Sequence, residues 1–392
     1  MLVRELYSNR ELRFTHVIGI GGIGAGDVFA LQGDHTLGRD ESRLASLLNA
    51  CDYCKSHIVE HYIATMMGAK ADASTFHASA IGVVGEDATG DQLLLEMKQA
   101  GINTKRVRRD AGCRTPTASG SSIRIGRGNT TASNSAATTL NEEDICRGAE
   151  LMKSVREQCV ALCLPEVALE IRHSFLRLAT EARNFRVASF VRAEIAVART
   201  LDLFSLIDLL AVNVEEASQI VGYAYSAANS NRFLLDCSTA LTHVQPKIQI
   251  VVSAGAEGAY AFEDGRWSYC SAPTVPVVST AGAGDALLAG IVCGLSVGLP
   301  LTYSGCSGQA LSGSEIHSAV ELGLLLVSFS VTSPHTIHFE ANPDALARFA
   351  SSLAHRFEES AVRAAVTGSA MSQESRELGK VHETVVADLK GY

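Results

Sequence analysis

A glycine-rich turn before an acidic residue is the most chemically informative part of the sequence. Residues 277–295 have the sequence VVSTAGAGDALLAGIVCGL, in which Gly282, Ala283 and Gly284 precede Asp285 and an apolar helical run follows. Glycines let the backbone approach a ligand closely. A helix that begins here directs unpaired N–H groups and the positive end of its dipole into the turn. The pattern predicts an anion site in which Asp285 can accept a proton from an attacking hydroxyl.

Asp285 also has a purely structural interpretation, because Asp is common at helix N-caps. The surrounding segment favours chemistry: STAGAGDALLAG closely resembles the DTxGAGDxFxxG motif of the pfkB/ribokinase family of carbohydrate kinases. This resemblance implies transfer of the ATP γ-phosphoryl group to a hydroxyl of a sugar or nucleoside-like small molecule. Asp285 would be the base, and the N–H groups of Gly282, Ala283 and Gly284 would stabilise the transferring charge.

Two further segments resemble the same family, each after a predicted strand. Asn213 and Glu216 match its NxxE motif, which implies a role in organising Mg²⁺ and phosphate. Ser253, Gly255 and Gly258 match the turn that lies against the nucleotide. Taken singly, these residues are also explained by a helix N-cap, a first-turn acid and a β-turn. Their joint order favours a kinase that uses ATP, whose phosphates need magnesium.

The N-terminal half departs from the family pattern. The stretch comparable to the family's sugar-gripping GGxxxN segment has no Gly-Gly pair and no Asn. Asp27, Asp34 and Glu166 are the candidate contacts to substrate hydroxyls, although surface-loop carboxylates would explain each one equally well. Ser279 replaces the first Asp of the C-terminal motif, a carboxylate that commonly helps to bind a monovalent cation. Potassium activation is therefore left open.

Short apolar runs alternate with helical patterns along most of the chain. The helical patterns include Gly90–Ala100, Val167–Ala182 and Arg232–Leu241. This alternation predicts a mainly parallel sheet with helices on both faces and ligands beyond its C-terminal strand ends. With the family resemblance, it predicts a ribokinase-like three-layer α/β/α sandwich. The predicted strands are Val17–Ile20, Ser79–Val84, Cys159–Leu164, Arg186–Phe190, Leu209–Val212 and Ile248–Val252.

The domain prediction is one kinase domain over residues 1–353 and a partly helical or disordered tail over 354–392. Residues 104–140 are rich in Arg, Thr, Ser and Gly and contain short alternating pieces such as SSIRI. They predict a β-rich lid at about 104–135, with a second lid element at about 30–45. A homodimer formed through the lid, as in some family members, is left open.

The composition limits the partners. A net charge of -9, 47% hydrophobic residues and 19% charged residues indicate a globular protein without a basic surface for nucleic acid or an anionic membrane. The scattered cysteines and the absence of a long apolar stretch predict a soluble cytoplasmic protein acting on a small molecule. Cys51 and Cys54 form a lone CxxC near His57 and His61, so a metal site there is not excluded.

Two other functions are compatible with parts of the sequence. Gly19, Gly21 and Gly24 satisfy the GxGxxG fingerprint of NAD(P)-binding oxidoreductases. That fold needs a long helix next, however, and Gly33 and Gly38 interrupt the following segment. The second alternative is a ribokinase-fold ligand sensor that has lost catalysis. The altered N-terminal motif favours a sensor, whereas the intact AGAGD turn favours an enzyme.

Overall fold

The computed structural model describes residues 3–7, 11–33, 35, 37–70, 75–123, 126–303 and 315–353, with the backbone alone at 121–123 and 126–131. The strands are β1 (His16–Ile20), β2 (Ala25–Leu31), β3 (Ala45–Tyr53), β4 (His77–Gly85), β5 (Ile102–Asp110), β6 (Thr117–Ile123), β7 (Gly126–Thr131), β8 (Cys159–Cys163), β9 (Phe185–Ser189), β10 (Leu209–Asn213), β11 (Gln249–Ser253), β12 (Gly258–Glu263) and β13 (Arg266–Ser271). The helices are α1 (Val3–Leu6), α2 (Lys55–Met67), α3 (Ala88–Gln99), α4 (Glu142–Val155), α5 (Leu169–Glu181), α6 (Ile195–Thr200), α7 (Val214–Val221), α8 (Ser230–Thr242), α9 (Ala283–Ser296) and α10 (Ala319–Ser330). A further helical segment covers 343–353.

A nine-stranded sheet forms the centre, in the order β13-β12-β11-β10-β9-β8-β1-β4-β5. The seven strands from β11 to β5 are parallel, and β12 and β13 add an antiparallel hairpin at one edge. The inner strands are short apolar runs, and all five residues of β8 are buried, because helices cover both faces of the sheet. Separate hydrophobic cores fill the two faces. The predicted ribokinase-like sandwich is confirmed.

A second, four-stranded sheet has the order β3-β2-β6-β7. Its pairs β2–β3 and β6–β7 are antiparallel, whereas β2 and β6 are parallel. The predicted lid segments overlap this small sheet only in part. Residues 104–110 belong to β5, which pairs with β4 in the main sheet, so their assignment to the lid was wrong. The predicted 30–45 element is mainly the connection between β2 and β3, and the predicted tail, 354–392, lies outside the described residues.

The polar sequence of β5 has a physical reason that explains this error. An edge strand is exposed along one side, so it carries charged residues where an inner strand would be apolar. The side chain of Arg108 on this strand contacts α4, because its Nε lies 3.0 Å from the carboxylate of the buried Asp144. Its guanidinium also bonds to Asp110. The arginine-rich pattern therefore anchors the edge of the main sheet.

The glycines of the GIGGIG segment allow close packing around β1. A Cβ on Gly19 would overlap the Glu60 carboxylate on α2, and one on Gly24 would lie 2.5 Å from the Pro116 carbonyl oxygen. The chain then enters β2 of the small sheet and forms no helix there. A dinucleotide-binding fingerprint requires a helix directly after the glycines, to hold the pyrophosphate. The oxidoreductase alternative is therefore wrong for this fold.

Candidate active site

Four chain segments meet beyond the C-terminal ends of the parallel strands. A cleft of about 60 Å³ is lined by Lys55 from α2, Asn213 and Glu216 from the β10–α7 junction, Ser253 from β11 and Asp285 from α9. Such a volume holds only a few small groups, so a larger ligand must extend out of it. Four of these five residues were predicted as site residues, and the cleft brings them together. Lys55 was not predicted.

The turn before α9 requires glycine at one position. Gly282 is the N-cap of the helix and has a φ of 73°, in the left-handed region that a side chain disfavours. A Cβ there would also lie 2.6 Å from the Thr336 carbonyl oxygen. Thr336 in turn donates its N–H to Cys51 at the end of β3. The turn is thus tightly held between α9 and the small sheet.

The N–H groups of this turn are only partly available to a ligand. Ala283 donates its N–H to the Thr280 carbonyl at 3.2 Å, so its predicted place in the anion site is not supported. The N–H groups of Gly282, Gly284 and Asp285 have no acceptor in the described part of the chain. Gly284 is exposed, and a Cβ on it would meet no atom within 4 Å. Three backbone donors without an acceptor among the described residues therefore lie at the start of α9, with open space beside Gly284.

Asp285 is paired with Lys55. The side-chain Nζ of Lys55 lies 3.2 Å from Oδ1 of Asp285, whose exposure is only 6%. Burial raises the pKa of Asp285 above its ordinary value, and the Lys55 ammonium opposes that rise. The pKa of Lys55 is raised chiefly by Asp285, and Glu166 and Glu216 add to the effect. The Lys55 ammonium therefore bonds to Asp285, and the charges of Glu166 and Glu216 further favour its protonated form.

Glu166, which the sequence analysis gives as a candidate substrate contact, belongs to this cluster. It follows β8 with a φ of 74°, and its Oε2 accepts the Lys55 backbone N–H at 3.0 Å. Burial raises the pKa of Glu166 to about 7, while the Lys55 charge and a hydrogen bond from the Cys54 thiol lower it. A carboxyl with this pKa exchanges a proton easily near neutral pH.

Asn213 and Glu216 form a reciprocal capping box at the start of α7. Glu216 donates its N–H to Asn213 Oδ1 and accepts the Asn213 N–H at Oε2, both at 2.8 Å. The structural interpretation of these residues is therefore correct, and it leaves room for a second role. Oε1 of Glu216 has no partner within the described residues, and burial raises the pKa of this carboxyl. One carboxylate oxygen beside phosphates suits magnesium, which keeps most of its water ligands.

The turn after β11 leaves the cleft at Ser253. Gly255 has a φ of 60° and Gly258 a φ of 126°. Gly258 is irreplaceable on steric grounds, because its Cβ would lie 2.1 Å from the Cys270 carbonyl oxygen. Ala254 closes the turn by donating its N–H to Gly258 at 2.8 Å. Ser253 lines the cleft, whereas Gly255 and Gly258 lie beyond its lining.

The other two predicted substrate residues lie elsewhere. Asp27 is exposed on β2 and lines a separate cavity of about 640 Å³, between the small sheet and α3. Asp285 does not line that cavity. Asp34 lies outside the described residues. Of the three predicted carboxylates, only Glu166 is placed beside Asp285.

Lys55 could have been found from its position in the sequence. It is the first residue of α2, and no acidic residue occupies the first turn of that helix. A cation is disfavoured there, because the positive end of the helix dipole repels it. A lysine at this position indicates compensation by nearby anions. The pairing with Asp285, however, depends on tertiary structure that no local pattern predicts.

The possible metal site at Cys51 and Cys54 is not supported. Cys54 is buried, and its thiol bonds to Glu166. Among the described residues, no group of three or more His, Cys, Asp or Glu side chains could hold a metal ion.

Ser279, which replaces the first Asp of the C-terminal motif, is buried, and its hydroxyl accepts the Ala281 N–H at 3.2 Å. None of the helices in the described ranges is long and apolar enough to span a membrane.

Comparisons with known proteins identify the family of this chain. Residues 65–338 match the model of the pfkB family of carbohydrate kinases. The chain is 39% identical to a 1-phosphofructokinase of Vibrio cholerae over 88 residues, which are 22% of this chain and 26% of the relative. It is 24% identical to a 1-phosphofructokinase of Bacillus subtilis over 204 residues, which are 51% of this chain and 65% of the relative. Both matches thus span less than two thirds of the relatives' own length.

The fold is also similar to that of solved sugar kinases. The structure of an Arabidopsis thaliana ribokinase complexed with ribose and ATP aligns with a TM-score of 0.64 at 16% sequence identity. The alignment covers 86% of this chain and 98% of that one. At this identity, the similarity is one of fold.

Proposed function

The chain belongs to the pfkB family of carbohydrate kinases, and on this premise we propose that it transfers the γ-phosphoryl group of ATP to a hydroxyl of a sugar or nucleoside-like small molecule. The observation that supports this best is the position of Asp285. Its carboxylate is buried beside Lys55 at the start of α9, where three backbone N–H groups have no acceptor among the described residues. A base, a cation and an anion site are thus combined in one cleft.

Asp285 is the proposed general base. It takes the proton of the acceptor hydroxyl while the hydroxyl oxygen attacks the γ-phosphorus and ADP leaves. Burial raises its pKa above the ordinary value of an aspartate, which makes the carboxylate a better proton acceptor. The Lys55 ammonium keeps the carboxylate ionised before the reaction and lies close enough to stabilise negative charge as the phosphoryl group moves.

The proposed anion site differs by one donor from the one predicted from the sequence. Gly282, Gly284 and Asp285 supply the N–H donors, and Ala283 is excluded because Thr280 accepts its N–H. The dipole of α9, which is 14 residues long, adds positive potential at the same place. These donors are fixed before substrate arrives, so they stabilise the transition state without a cost of reorganisation.

Glu216 and Ser253 are proposed to serve the nucleotide side. Magnesium bound with ATP neutralises phosphate charge. Glu216 would hold it through Oε1, directly or through a water molecule. Asn213 has its Oδ1 occupied by the cap, so its amide N–H₂ group suits a phosphate oxygen better than a metal ion. Ser253, Gly255 and Gly258 form the turn against which the nucleotide would lie.

The acceptor is proposed to bind beside Glu166, under the small sheet. Glu166 can accept a hydrogen bond from an acceptor hydroxyl, and the small sheet would exclude water that would otherwise receive the phosphoryl group. Asp27 could contribute from the larger cavity if that sheet moves toward α9 when ligand binds. The similar proteins differ in acceptor: the curated ones are 1-phosphofructokinases, and the ribokinase holds ribose. The proposed acceptor is therefore any sugar or nucleoside-like molecule with a free hydroxyl.

The direct test is Asp285→Asn, assayed with ATP and a panel of sugars, nucleosides and phosphorylated sugars. We expect kcat to fall by at least about a thousandfold while ATP affinity, measured by calorimetry, changes by less than about threefold. Asp91→Asn, on the exposed first turn of α3, is the control and should keep wild-type turnover. Near-normal turnover in Asp285→Asn would show that the base is misassigned. Nucleotide binding without any transfer would favour the ligand sensor.

A further inference from the structure

The nucleotide turn, Ser253–Gly258, is poorly packed for a segment that must hold a ligand. Gly255, Ala256 and Glu257 are all exposed. A Cβ on Gly255 would meet no atom within 4 Å, so open space surrounds that residue. A loop with few packing contacts fluctuates unless other bonds hold it. Its position therefore depends on its tethers.

Two tyrosines bind this turn through Glu257. The Tyr225 hydroxyl lies 3.1 Å from the carboxylate oxygen Oε2 of Glu257. Tyr269, on β13, donates its hydroxyl to the Glu257 carbonyl at 2.6 Å. The Tyr225 hydroxyl also lies 3.1 Å from that of Tyr260 on β12. The side chain and the backbone of Glu257 are thus held from different directions.

Tyr225 connects the turn to the helix that carries Glu216. Its backbone N–H donates to the Ser218 hydroxyl at 3.3 Å, and Ser218 lies on α7, two residues after Glu216. Its ring packs edge-on against Phe233 of α8, with ring centroids 5.4 Å apart. Burial, Tyr260 and Glu257 all raise the pKa of Tyr225, so the hydroxyl stays protonated and can donate. One residue therefore contacts the nucleotide turn, α7 and α8.

We propose that Tyr225 is a positioning residue that fixes the Ser253–Gly258 turn relative to α7 through its hydrogen bond to Glu257. This inference rests on the proposed function, in which the turn holds ATP and Glu216 on α7 holds the metal. Tyr225 does not line the cleft that contains Asp285. Its loss should therefore weaken nucleotide binding and leave the phosphoryl-transfer step unchanged.

The chain provides a matched control at Tyr223. This tyrosine lies two residues away and packs on the same Phe233 ring, with centroids 5.7 Å apart. Its hydroxyl donates to Asp236 on α8 at 3.0 Å and does not reach the turn. Tyr223→Phe and Tyr225→Phe therefore remove the same atom from the same aromatic cluster. Only Tyr225→Phe removes a bond to the nucleotide turn.

The experiment measures the KM for ATP, the kcat and the Kd for a fluorescent ADP analogue in the two variants and the wild type. We expect Tyr225→Phe to raise the ATP KM and the ADP Kd about three- to tenfold, the range for losing one ordinary hydrogen bond, because Glu257 is exposed to solvent. Its kcat should stay within about twofold of wild type. Tyr223→Phe should match the wild type in all three quantities.

A double-mutant cycle with Glu257→Ala tests the route of the effect. If Tyr225 acts through Glu257, the double variant should bind ADP no more weakly than the weaker single variant. Additive losses, equal losses in both Phe variants, or an unchanged Kd in Tyr225→Phe would each overturn the inference. If the wild type binds no nucleotide at all, the inference and the proposed function both fail. Normal wild-type binding with an unaffected Tyr225→Phe variant overturns the inference alone.

Discussion

Lys55 and Asp285 are 230 positions apart in the sequence, yet Nζ of the first lies 3.2 Å from Oδ1 of the second. The contact exists because α2 and α9 pack side by side, so their first turns converge on the same cleft. Lys55 begins one helix and Asp285 lies in the first turn of the other. Both helix dipoles add positive potential there, which concentrates anion-binding capacity in a protein of net charge -9.

Removal of the Lys55 charge should impair the base and move its titration. In Lys55→Met, Asp285 loses the cation that opposes the effect of burial on its pKa, so that pKa rises further. The limb of the kcat/KM profile that increases with pH should therefore shift to higher pH. The maximal rate should fall about a hundredfold, as when one charge-stabilising donor is removed from other active sites. The measurement is kcat/KM from pH 5 to 9.

Two variants show whether charge is the cause. Lys55→Arg keeps the cation, so it should retain part of the rate and most of the wild-type pH profile. Lys98→Met, on the exposed last turn of α3, removes a lysine that does not line the cleft and should behave as the wild type. An unshifted limb in Lys55→Met would mean that Lys55 does not control the ionisation of the base.

Gly284 should be replaceable for folding but not for catalysis. It lies in the first turn of α9, where a Cβ would meet no protein atom within 4 Å. Alanine is more favourable than glycine in a helix by about 0.5–1 kcal/mol. Gly284→Ala should therefore not lower the free energy of unfolding. The methyl group would occupy the space proposed for the transferring phosphoryl group. Gly284→Ala should cut kcat at least about tenfold, and Gly284→Val should cut it more.

The matched control is Gly112→Ala, in the turn after β5, where the nearest atom to a new Cβ is the Asp110 carboxylate at 3.3 Å. Steady-state rates and urea unfolding of all three variants make the comparison. A Gly284→Ala variant with full activity would show that the open space at the start of α9 does not receive the phosphoryl group.

Glu215 and Glu216 are adjacent, so matched variants can separate the proposed metal role of Glu216 from the general effect of losing a negative charge. Glu216→Gln keeps an oxygen for the Asn213 N–H and so preserves the helix cap, but it removes the negative charge that would attract magnesium. Glu215→Gln is the control, because Glu215 is exposed and pairs with Arg192 on the surface. The rate as a function of magnesium concentration should need about tenfold more metal in Glu216→Gln and no more in Glu215→Gln. Equal curves would contradict the assignment.

The parallel core was predictable because inner strands have local signatures. The apolar runs that became β8, β10 and β11 are bounded by helical patterns, and period and length alone identify them. The edge strand β5 was misassigned because its charged residues bond to α4, a contact that the local sequence does not show. The hairpin β12–β13 was not predicted for a similar reason, since it lies at the opposite edge of the sheet.

The candidate site likewise combines residues that lie together in the sequence with residues that only the tertiary structure brings together. Asp285 and Gly282 lie in one continuous turn with a specific pattern, so local sequence was enough to propose them as neighbours in one site. Lys55 and Glu166 meet only because α2 begins beside the end of β8, and their bond joins positions 111 residues apart. Ala283 was wrongly included in the anion site because the sequence does not show which N–H groups a turn uses internally.

Buried histidines on α2 should make the protein sensitive to acid. His57 is fully buried, both of its ring nitrogens lack a partner in the described part of the chain, and burial lowers its pKa to about 3. His61 has its pKa lowered to about 4 for the same reason. Below the unperturbed pKa of 6.5 the unfolded chain binds protons that the folded protein does not, so the histidine contribution to stability falls as the pH decreases from about 6.5 to about 3.

Glu60, on the same helix, contributes in the opposite direction. Burial raises its pKa to about 8, so the stability it adds is present below about pH 4.5 and is lost as the pH rises to 8. The net pH dependence of the wild type is therefore shallower than the histidines alone would give. A histidine variant, compared with the wild type at each pH, isolates the histidine contribution because Glu60 is unchanged in both.

The expected result for His57→Leu is a smaller loss of stability in acid. Between pH 7 and 5, the free energy of unfolding of the wild type should fall relative to that of the variant by about 1–2 kcal/mol, from 1.36 kcal/mol per pKa unit. At pH 7 the variant should be at least as stable, because it removes buried polar atoms that have no partner. His173→Leu, on α5, controls for loss of a partly exposed histidine. Urea unfolding at both pH values makes the measurement, and parallel pH curves for wild type and His57→Leu would contradict the assignment of acid sensitivity to His57.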